Sequence, residues 1–391
     1  MPPKLAEYES LSPRVRLFLW LIDRFGAVRS ALWRWRWRRR VIPRHPQRIL
    51  VTRCDGIGDL VESTPALRSL RKRFPDARIE LMVGPWAADV ARMIEDVDEV
   101  LPYAPWGYRF LRTVRRELSL GVDWRWLWRL RRRRYDLAID LRSDILTLLP
   151  MAWWAIPVRV GRATRGGGFT LTHEVPPVDP ARSHEVRRTL DVVARLDAEA
   201  QDERLALSPG DEAVRKATQV LREAGLSRKR TVLLAPGAQW RWKWWPGFGD
   251  LAHRLHEAGW QTAVIGAPGD EHFHAAITER DPATISLIGR FNLRELTAAF
   301  ALTRGFVAVD SGPAHLAAGV DAAGVMLFGS GQPEQFAPLS EKIRIIHRPC
   351  AMNPCYQRGE CVNPDQWCMV KISASEVFAA LTEVLESATK D

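Results

Sequence analysis

The chain has 391 residues, of which 46% are hydrophobic and 26% charged, so it can bury a full core and is not a disordered chain. This length favours two domains over one. The formal net charge of +11 is concentrated in two places. Residues 1–48 hold 12 Lys/Arg and three Asp/Glu, and residues 109–134 hold ten Arg and two acidic residues. The remainder of the chain is therefore mildly acidic.

No apolar stretch of the sequence is long enough for a transmembrane helix, which needs about 20 such residues. Near the N-terminus the apolar run from Leu17 to Ile22 is closed by Arg16 and Asp23. It is also shorter than the apolar region of a secretory signal, which spans roughly 7–15 residues. We therefore expect the protein to remain in the cytosol.

The first 46 residues form a separate segment in which Trp and other apolar residues alternate with Arg. Such a mixture suits an amphipathic helix lying in an anionic membrane interface. The alternative is a basic helix packed on its own protein, and nucleic acid is the least favoured partner. Pro43 and Pro46 end the segment.

From residue 47 onward, strand and helix patterns alternate, which predicts parallel sheets with crossover helices. We predict an acceptor-binding domain at 47–205 and a nucleotide-sugar-binding domain at 206–391, with a polar linker near 200–212 and a Trp/Arg-rich insertion at 103–134. The first series has expected strands at 48–53, 78–83, 135–140 and 157–160 and helices at 64–74, 86–95 and 184–197. The second has strands at 230–235, 261–266, 284–288, 305–309 and 324–328 and helices at 247–258, 270–279, 293–302, 313–319 and 371–387.

The first chemical motif, Asp55-Gly-Ile-Gly-Asp59, follows the first predicted strand. Ligands of doubly wound sheets bind at such strand ends. Gly56 and Gly58 fit the first half of a dinucleotide fingerprint, but Val61 replaces its third small residue. A carboxylate in this turn suits proton acceptance. Capping of the following helix by Asp59 is the alternative, and the spacing alone does not decide between them.

Two later motifs also follow predicted strands and suit an anionic ligand. In the loop from Ala235 to Gly247, Gly237 permits close backbone approach and Arg241 or Lys243 supplies charge. The alternative is a surface loop whose tryptophans pack on their own domain. At Val309-Asp-Ser-Gly-Pro-Ala-His315 a helix N-terminus would attract an anion.

In the motif that begins at Val309, Ser311 either caps the helix or touches phosphate. His315 lies one turn further on and is either structural or a ligand contact. A third strand end carries Asp270 and Glu271, which either accept hydrogen bonds from ribose hydroxyls or favour the start of a helix through its dipole.

Together these segments resemble glycosyltransferase family 9, the heptosyltransferases that build the inner core of lipopolysaccharide. The resemblance runs from about Arg48 to Leu385. Three stretches carry it, in the family's order: Asp55-Gly-Ile-Gly-Asp59 with Thr64-Pro-Ala-Leu67 and Leu70-Arg71, Pro236-Gly-Ala238 with Lys243-Trp-Trp-Pro246, and Asp310 to Ala318 with Leu327-Phe-Gly329.

The resemblance implies an α/β GT-B architecture, in which two Rossmann-like domains with doubly wound parallel sheets face each other across a cleft. It further implies transfer of a sugar, typically heptose from ADP-heptose, to a glycolipid acceptor with inversion at the anomeric carbon. No divalent metal or other cofactor is implied for catalysis. The enzyme would act peripherally at the cytoplasmic face of the inner membrane.

Carried over residue by residue, the resemblance makes Asp59 the general base and Lys243 the group that neutralises the donor diphosphate. Asp55, Gly56 and Gly58 would lie on the acceptor side. The implied donor-binding residues are Gly237, Ala238, Lys243, Asp270, Glu271, Asp310, Ser311, Gly312, Pro313 and His315. The aromatic loop at 239–242 and the basic insertion at 103–134 depart from the family pattern, so the sugar and the acceptor stay open. An epimerase-like enzyme and a non-catalytic membrane scaffold are the rival functions.

Four of the five cysteines are crowded near the C-terminus, at Cys350, Cys355, Cys361 and Cys368. Their spacing contains no C-x-x-C pair, so the indication of zinc is weak. In a reducing cytosol plain thiols are the first expectation, with a structural metal site or disulfides as alternatives.

Overall fold

The computed structural model describes residues 17, 20–26, 28, 40–103, 124–179, 183–350 and 368–388, with 124–127 described in their backbone only. Most of the predicted N-terminal helix, most of the 103–134 insertion, and Cys355 and Cys361 therefore lie outside the described residues. No helix in the described part of the chain is both long and apolar enough to cross a bilayer.

The described residues form two compact units. The first comprises the described residues up to Gly56, together with Pro65–Asp179 and Val186–Asp202. The second comprises Ile57–Thr64, the described part of 180–185, and the described residues from Glu203 onward. The segment Ile57–Thr64 thus groups by its contacts with the second unit, although it lies within the range predicted for the first domain.

The first unit is built on a six-stranded parallel sheet in the order β3-β2-β1-β4-β5-β6. Its strands are β1 (Arg48–Arg53), β2 (Arg78–Val83), β3 (Glu99–Pro102), β4 (Leu137–Asp140), β5 (Val158–Gly161) and β6 (His173–Glu174). The helices along this part of the chain are α1 (Ile57–Glu62), α2 (Thr64–Arg73), α3 (Ala88–Ala91), α4 (Trp124–Arg132), α5 (Ile145–Trp153) and α6 (Glu185–Ala194). Residues 17, 20–26 and 28 are also helical.

The second unit repeats this plan with the strand order β12-β11-β10-β7-β8-β9, again all parallel. Its strands are β7 (Thr231–Ala235), β8 (Gln261–Val264), β9 (Ile285–Ser286), β10 (Gly305–Val309), β11 (Gly324–Phe328) and β12 (Ile343–His347). Its helices are α7 (Asp211–Glu223), α8 (Phe248–Glu257), α9 (Glu271–Thr278), α10 (Leu293–Leu302), α11 (Gly312–Gly319), α12 (Pro333–Phe336) and α13 (Ala374–Ser387).

In each sheet the strand order reverses between its first and fourth strands, which is the position where doubly wound sheets bind ligands. In the second sheet this position lies between β7 and β10, which pair with Ala235 opposite Ala308. Both strands are fully buried, so the loops that leave their carboxyl ends are held side by side. The predicted α/β class with two doubly wound parallel sheets is confirmed.

One predicted feature near the site differs in the structure. The sequence indicated a Gly-rich turn at Asp55–Asp59 and a helix from residue 64. Instead, α1 begins at Ile57, inside the motif, and places Asp59 in its first turn. Packing against α11 offsets the low helix propensity of Gly58, since tertiary contacts routinely override such propensities.

Candidate functional site

The site of the second unit is organised around an ion pair between Lys243 and Asp310. A short 3₁₀ turn in the loop after β7, Arg241–Lys243, positions the lysine, and Asp310 follows β10 directly. The Lys243 ammonium Nζ lies 2.6 Å from Asp310 Oδ2 and 3.3 Å from the Asp310 carbonyl oxygen. Because α11 starts two residues later, this cation lies close to the positive end of a helix dipole.

Helix α11 begins with Pro313 in its first turn, as expected of a residue that has no N–H to leave unsatisfied. Ser311 occupies the N-cap position, but its side chain makes no capping bond. Its hydroxyl instead donates to the Val309 carbonyl at 3.1 Å. The capping alternative for Ser311 is therefore wrong.

Helix α1 packs directly against α11, and glycine at position 58 permits the close approach. A Cβ on Gly58 would lie 2.8 Å from Cδ2 of the buried His315 ring. Further along the same contact, a Cβ on Gly312 would meet Ile57 at the ordinary distance of 3.6 Å. This packing brings the half-buried Asp59 to the α11 side of the second unit.

His315 is the buried centre of this group of side chains. Burial lowers the pKa of its imidazole, the charges of Lys243 and His184 lower it further, and the carboxylates of Asp310 and Asp59 oppose that shift. All four groups therefore act electrostatically on one ring. Since an unperturbed histidine titrates near 6.5, the His315 ring is neutral at pH 7.

Two buried side chains that sequence reasoning missed also face His315. Glu62, fully buried on α1, places Oε1 3.9 Å from His315 Nδ1. His184 is buried and its Nε2 lies 2.7 Å from the carbonyl oxygen of Ala337. Glu62 lies three residues after Asp59, a helical spacing that would have indicated one face if a helix had been predicted there. Nothing in the sequence pattern indicated His184.

Gly331, also missed, lies beside the ion pair in the loop after β11. A Cβ at this position would overlap Oδ2 of Asp310. Glycine here leaves space for the carboxylate that holds Lys243. The sequence contained a signal, because Gly331 closes the short Gly-Ser-Gly run after a predicted strand.

The aromatic loop after β7 packs on its own unit and shapes the backbone of the site. The indole Nε1 of Trp244 donates to the Ala238 carbonyl at 2.8 Å, and its ring meets Phe273 edge-on, with centroids 4.7 Å apart. A Cβ on Gly237 would lie 3.4 Å from Phe273 and 3.5 Å from Asp270 Oδ2. Gly237, Ala238 and Asp270 therefore lie together at the ends of β7 and β8.

The two acidic residues at the start of α9 accept hydrogen bonds from backbone amides of the turn that precedes this helix. Asp270 Oδ2 accepts from the Ala267 amide at 2.8 Å, and Glu271 Oε1 accepts from the Gly269 amide at 3.2 Å. Bonds from its own amide and that of Gly269 lower the pKa of Glu271. Of the two, only Asp270 lies next to Gly237.

Two predicted acceptor-side residues, Asp55 and Gly56, group by their contacts with the first unit. Oδ1 of Asp55 lies 3.2 Å from Nε of the buried Arg53, and its carbonyl accepts from the Trp86 indole at 2.8 Å. Asp55 thus has partners that hold the end of β1.

Among the described residues, no three His, Cys, Asp or Glu side chains are grouped as a metal site would require. Cys350 is half-buried and Cys368 is buried. Because Cys355 and Cys361 lie outside the described residues, the state of the four C-terminal cysteines stays a prediction.

Comparison with known proteins identifies the family of the chain and agrees with its fold. The model of the family described as glycosyltransferase family 9 (heptosyltransferase) matches residues 124–364, more than half of the chain. The chain therefore belongs to glycosyltransferase family 9 and is a glycosyltransferase.

One relative is lipopolysaccharide heptosyltransferase 2 of Escherichia coli K12, which is 26% identical over 358 residues, covering 86% of this chain and 98% of that protein. A family 9 glycosyltransferase of Veillonella parvula has a similar solved structure, with a TM-score of 0.73 at 21% identity, covering 88% and 99% of the two chains. The E. coli heptosyltransferase WaaC, solved with ADP, has a TM-score of 0.65 at 18% identity, covering 86% and 99%.

Proposed function

We propose that this enzyme is an inverting glycosyltransferase that transfers heptose from ADP-heptose to a sugar hydroxyl of a lipopolysaccharide-core acceptor, without a divalent metal. The observation that carries the proposal is the Lys243–Asp310 ion pair at the N-terminus of α11. Helix α1, which contains Asp59, packs on the same helix. The family of the chain and the names of its relatives support the sugar and the acceptor.

In the proposed donor complex, the diphosphate lies against Lys243 and the first turn of α11. The ammonium group has three N–H donors, and Asp310 accepts two of them through its carboxylate and carbonyl oxygens. The third is available for a phosphate oxygen. The nucleoside extends towards Gly237 and Asp270, whose carboxylate can accept from a ribose hydroxyl. The E. coli heptosyltransferase WaaC was solved with ADP, which supports ADP as the nucleotide of the donor.

During transfer, the acceptor hydroxyl attacks C1 of the donor sugar from the face opposite the diphosphate, and Asp59 accepts the hydroxyl proton. The C1–O bond to the diphosphate breaks as the new glycosidic bond forms, so the configuration inverts and ADP departs. The electron pair of the broken bond stays on the diphosphate oxygen, so the leaving ADP carries one more negative charge than the bound donor. Lys243 and the α11 dipole stabilise this added charge. This differential stabilisation accelerates the reaction.

The acceptor named by the relatives is a lipopolysaccharide, so the proposed place of action is the cytoplasmic face of the inner membrane. The basic N-terminal segment, with 12 Lys/Arg among residues 1–48, supports this placement because anionic lipids attract such segments.

The test is to incubate the purified full chain with ADP-heptose and a heptose-deficient lipopolysaccharide core. We expect ADP release and an acceptor mass increase of one heptose. Asp59→Asn should lower kcat by about 10²–10⁴-fold, as for loss of a general base, with unchanged ADP affinity in calorimetry. The matched control is Asp250→Asn, since Asp250 is 53% exposed.

Three results would contradict the proposal. Absence of transfer from any nucleotide sugar would favour a scaffold. Conversion of ADP-heptose into an isomer without transfer would favour an epimerase. A wild-type rate for Asp59→Asn would remove Asp59 from the mechanism while leaving the transferase activity in place.

A further inference from the structure

The N-terminal helix at residues 20–26 is docked on the first unit by a buried polar contact. Asp23 is only 3% exposed, and its Oδ1 accepts from the Gly167 amide at 2.8 Å. Three residues later, Gly26 lies so close to Phe169 that a Cβ would meet the ring at 2.6 Å. These two contacts fix which side of the helix faces the protein.

The apolar contacts of the docked side agree with this orientation. Trp20 and Ile22 pack with Phe169 against the buried side chains of Ile145 and Leu146. The helix is therefore attached to the start of α5 and to the loop before β6. The position of the N-terminal helix on the first unit is set by a specific interface.

The opposite side of this helix presents an exposed apolar stripe. Its members are spaced by four, four and three residues, which at about 100° per residue places them within roughly 80° of the helix circumference. They are 50%, 39%, 73% and 67% exposed, respectively: Leu17, Leu21, Phe25 and Val28. We call this set the N-terminal stripe. A docked helix that leaves four large apolar side chains exposed on one face indicates a partner for that face.

The charge beside the N-terminal stripe identifies the partner. Arg24 is exposed at the edge of the stripe, with its guanidinium 5.0 Å from the Trp20 ring centre. Since residues 1–48 hold 12 Lys/Arg against three acidic residues, two copies of this segment would repel each other. An anionic lipid surface is attracted to them and also accepts apolar side chains to a depth of about 5–10 Å.

We propose that the N-terminal stripe inserts into the surface of an anionic bilayer, while Asp23 and Gly26 hold the first unit at a fixed orientation to that surface. This inference rests on the proposed function, because a lipid-linked acceptor gives the contact its use. It assigns to one helix both membrane insertion and attachment to the enzyme body.

The insertion is tested with the purified full chain and vesicles of phosphatidylethanolamine and phosphatidylglycerol, measured by co-sedimentation. Leu21→Ser and Phe25→Ser should each weaken partitioning about tenfold, and the double variant roughly 100-fold. Val370→Ser, which changes an apolar side chain of the second unit that is 53% exposed, should bind as the wild type does. Wild-type binding should weaken on phosphatidylcholine alone and with rising salt.

Two results would overturn the insertion. One is unchanged partitioning of the double variant. The other is a wild-type oligomer that the double variant dissociates, without vesicle binding by either protein, because the stripe would then be an interface between copies of the chain.

The attachment is tested with Asp23→Ala, which leaves the Gly167 amide without this acceptor. Vesicle binding should stay within about twofold of the wild type, whereas hydrogen exchange of the peptide containing Gly167 should accelerate. Transfer to a vesicle-embedded acceptor should fall about tenfold, and transfer to a lipid-free core oligosaccharide should not change. An equal fall with both acceptors would overturn the attachment role. If the wild type transferred sugar to neither acceptor, the proposed function would be refuted, whereas the measured vesicle binding would still support the insertion.

Discussion

Nδ1 of His315 lies 3.9 Å from Oε1 of Glu62, and both side chains are buried where α1 packs on α11. Glu62 lies on the same helix as the proposed base, Asp59, whose charge also acts on the His315 ring. Because burial is the largest influence on the pKa of His315 and lowers it, the ring is held neutral. This ring is also the side chain that Gly58 of α1 approaches most closely.

The stability of the protein should consequently fall on acidification, partly through His315. The unfolded chain protonates this histidine near pH 6.5, whereas the folded chain binds the proton only at lower pH. Stability is then lost as the pH falls from about 7 through the unfolded pKa. Replacing the histidine in His315→Gln should make the loss of Tm between pH 7 and pH 5 smaller than in the wild type.

The control for this titration is His253→Gln, because the His253 side chain is 56% exposed. Its pH dependence should match that of the wild type. His173 and His347, whose pKa values burial also lowers, will leave a residual slope in the His315 variant. Identical slopes for His315→Gln and the wild type would contradict the prediction.

Gly58→Ala should destabilise the protein by about 1–3 kcal/mol, the usual cost of adding atoms to a packed interior. The added Cβ would lie 2.8 Å from the buried His315 ring, so α1 must shift and move Asp59. We expect at least a tenfold loss of kcat, measured by ADP release. Gly312→Ala is the matched control for Tm, since its Cβ would lie at 3.6 Å from Ile57. Equal Tm values for the two variants would refute this account.

Lys243→Met should lower kcat/KM by about 10²–10³-fold, the size of effect found for one preorganised group that stabilises developing charge. The variant also leaves the Asp310 carboxylate, 12% exposed, without its cation. In a double-mutant cycle with Asp310→Asn, the two losses should not add, because the side chains form one ion pair. Arg241→Gln, two residues earlier, should stay within about twofold of the wild type. Additive losses would show that the pair does not act as a unit.

Gly331→Ala should displace the Asp310 carboxylate, because the new methyl group would overlap Oδ2. We expect about a tenfold decrease in kcat/KM. Combined with Lys243→Met, the substitution should cause little further loss, since the ion pair it disturbs is already absent. A full tenfold effect in the Lys243→Met background would show that Gly331 does not act through the ion pair.

The buried strands of both sheets were predictable because each is a short apolar run bounded by turn residues. The bounds of β1, β2, β10 and β11 agree with the structure to the residue. The edge strands β3, β6 and β12 were missed, since each is very short or mixes apolar and charged residues. Helices α4, α5 and α7 were also missed, and the first residues of α7 were included in the predicted linker.

Of the candidate site, sequence motifs indicated the residues that follow strands, such as Lys243 and Asp310. They did not indicate Glu62 or His184, because these side chains reach His315 from segments far from it in the chain. Helix α1 was not predicted either, because Gly56 just before it and Gly58 near its start both favour a turn. Its formation depends on packing against α11, which no local sequence pattern indicates.

The grouping of Ile57–Thr64 with the second unit has a consequence for redesign. The chain leaves the first unit at Gly56, contributes α1 to the second unit, and returns at Pro65. The spacing between Asp59 and Lys243 is thus set within one unit. A chimaera that takes a new acceptor half from another transferase should retain residues 57–64 of its own sequence, because the graft would otherwise bring a foreign helix to face His315.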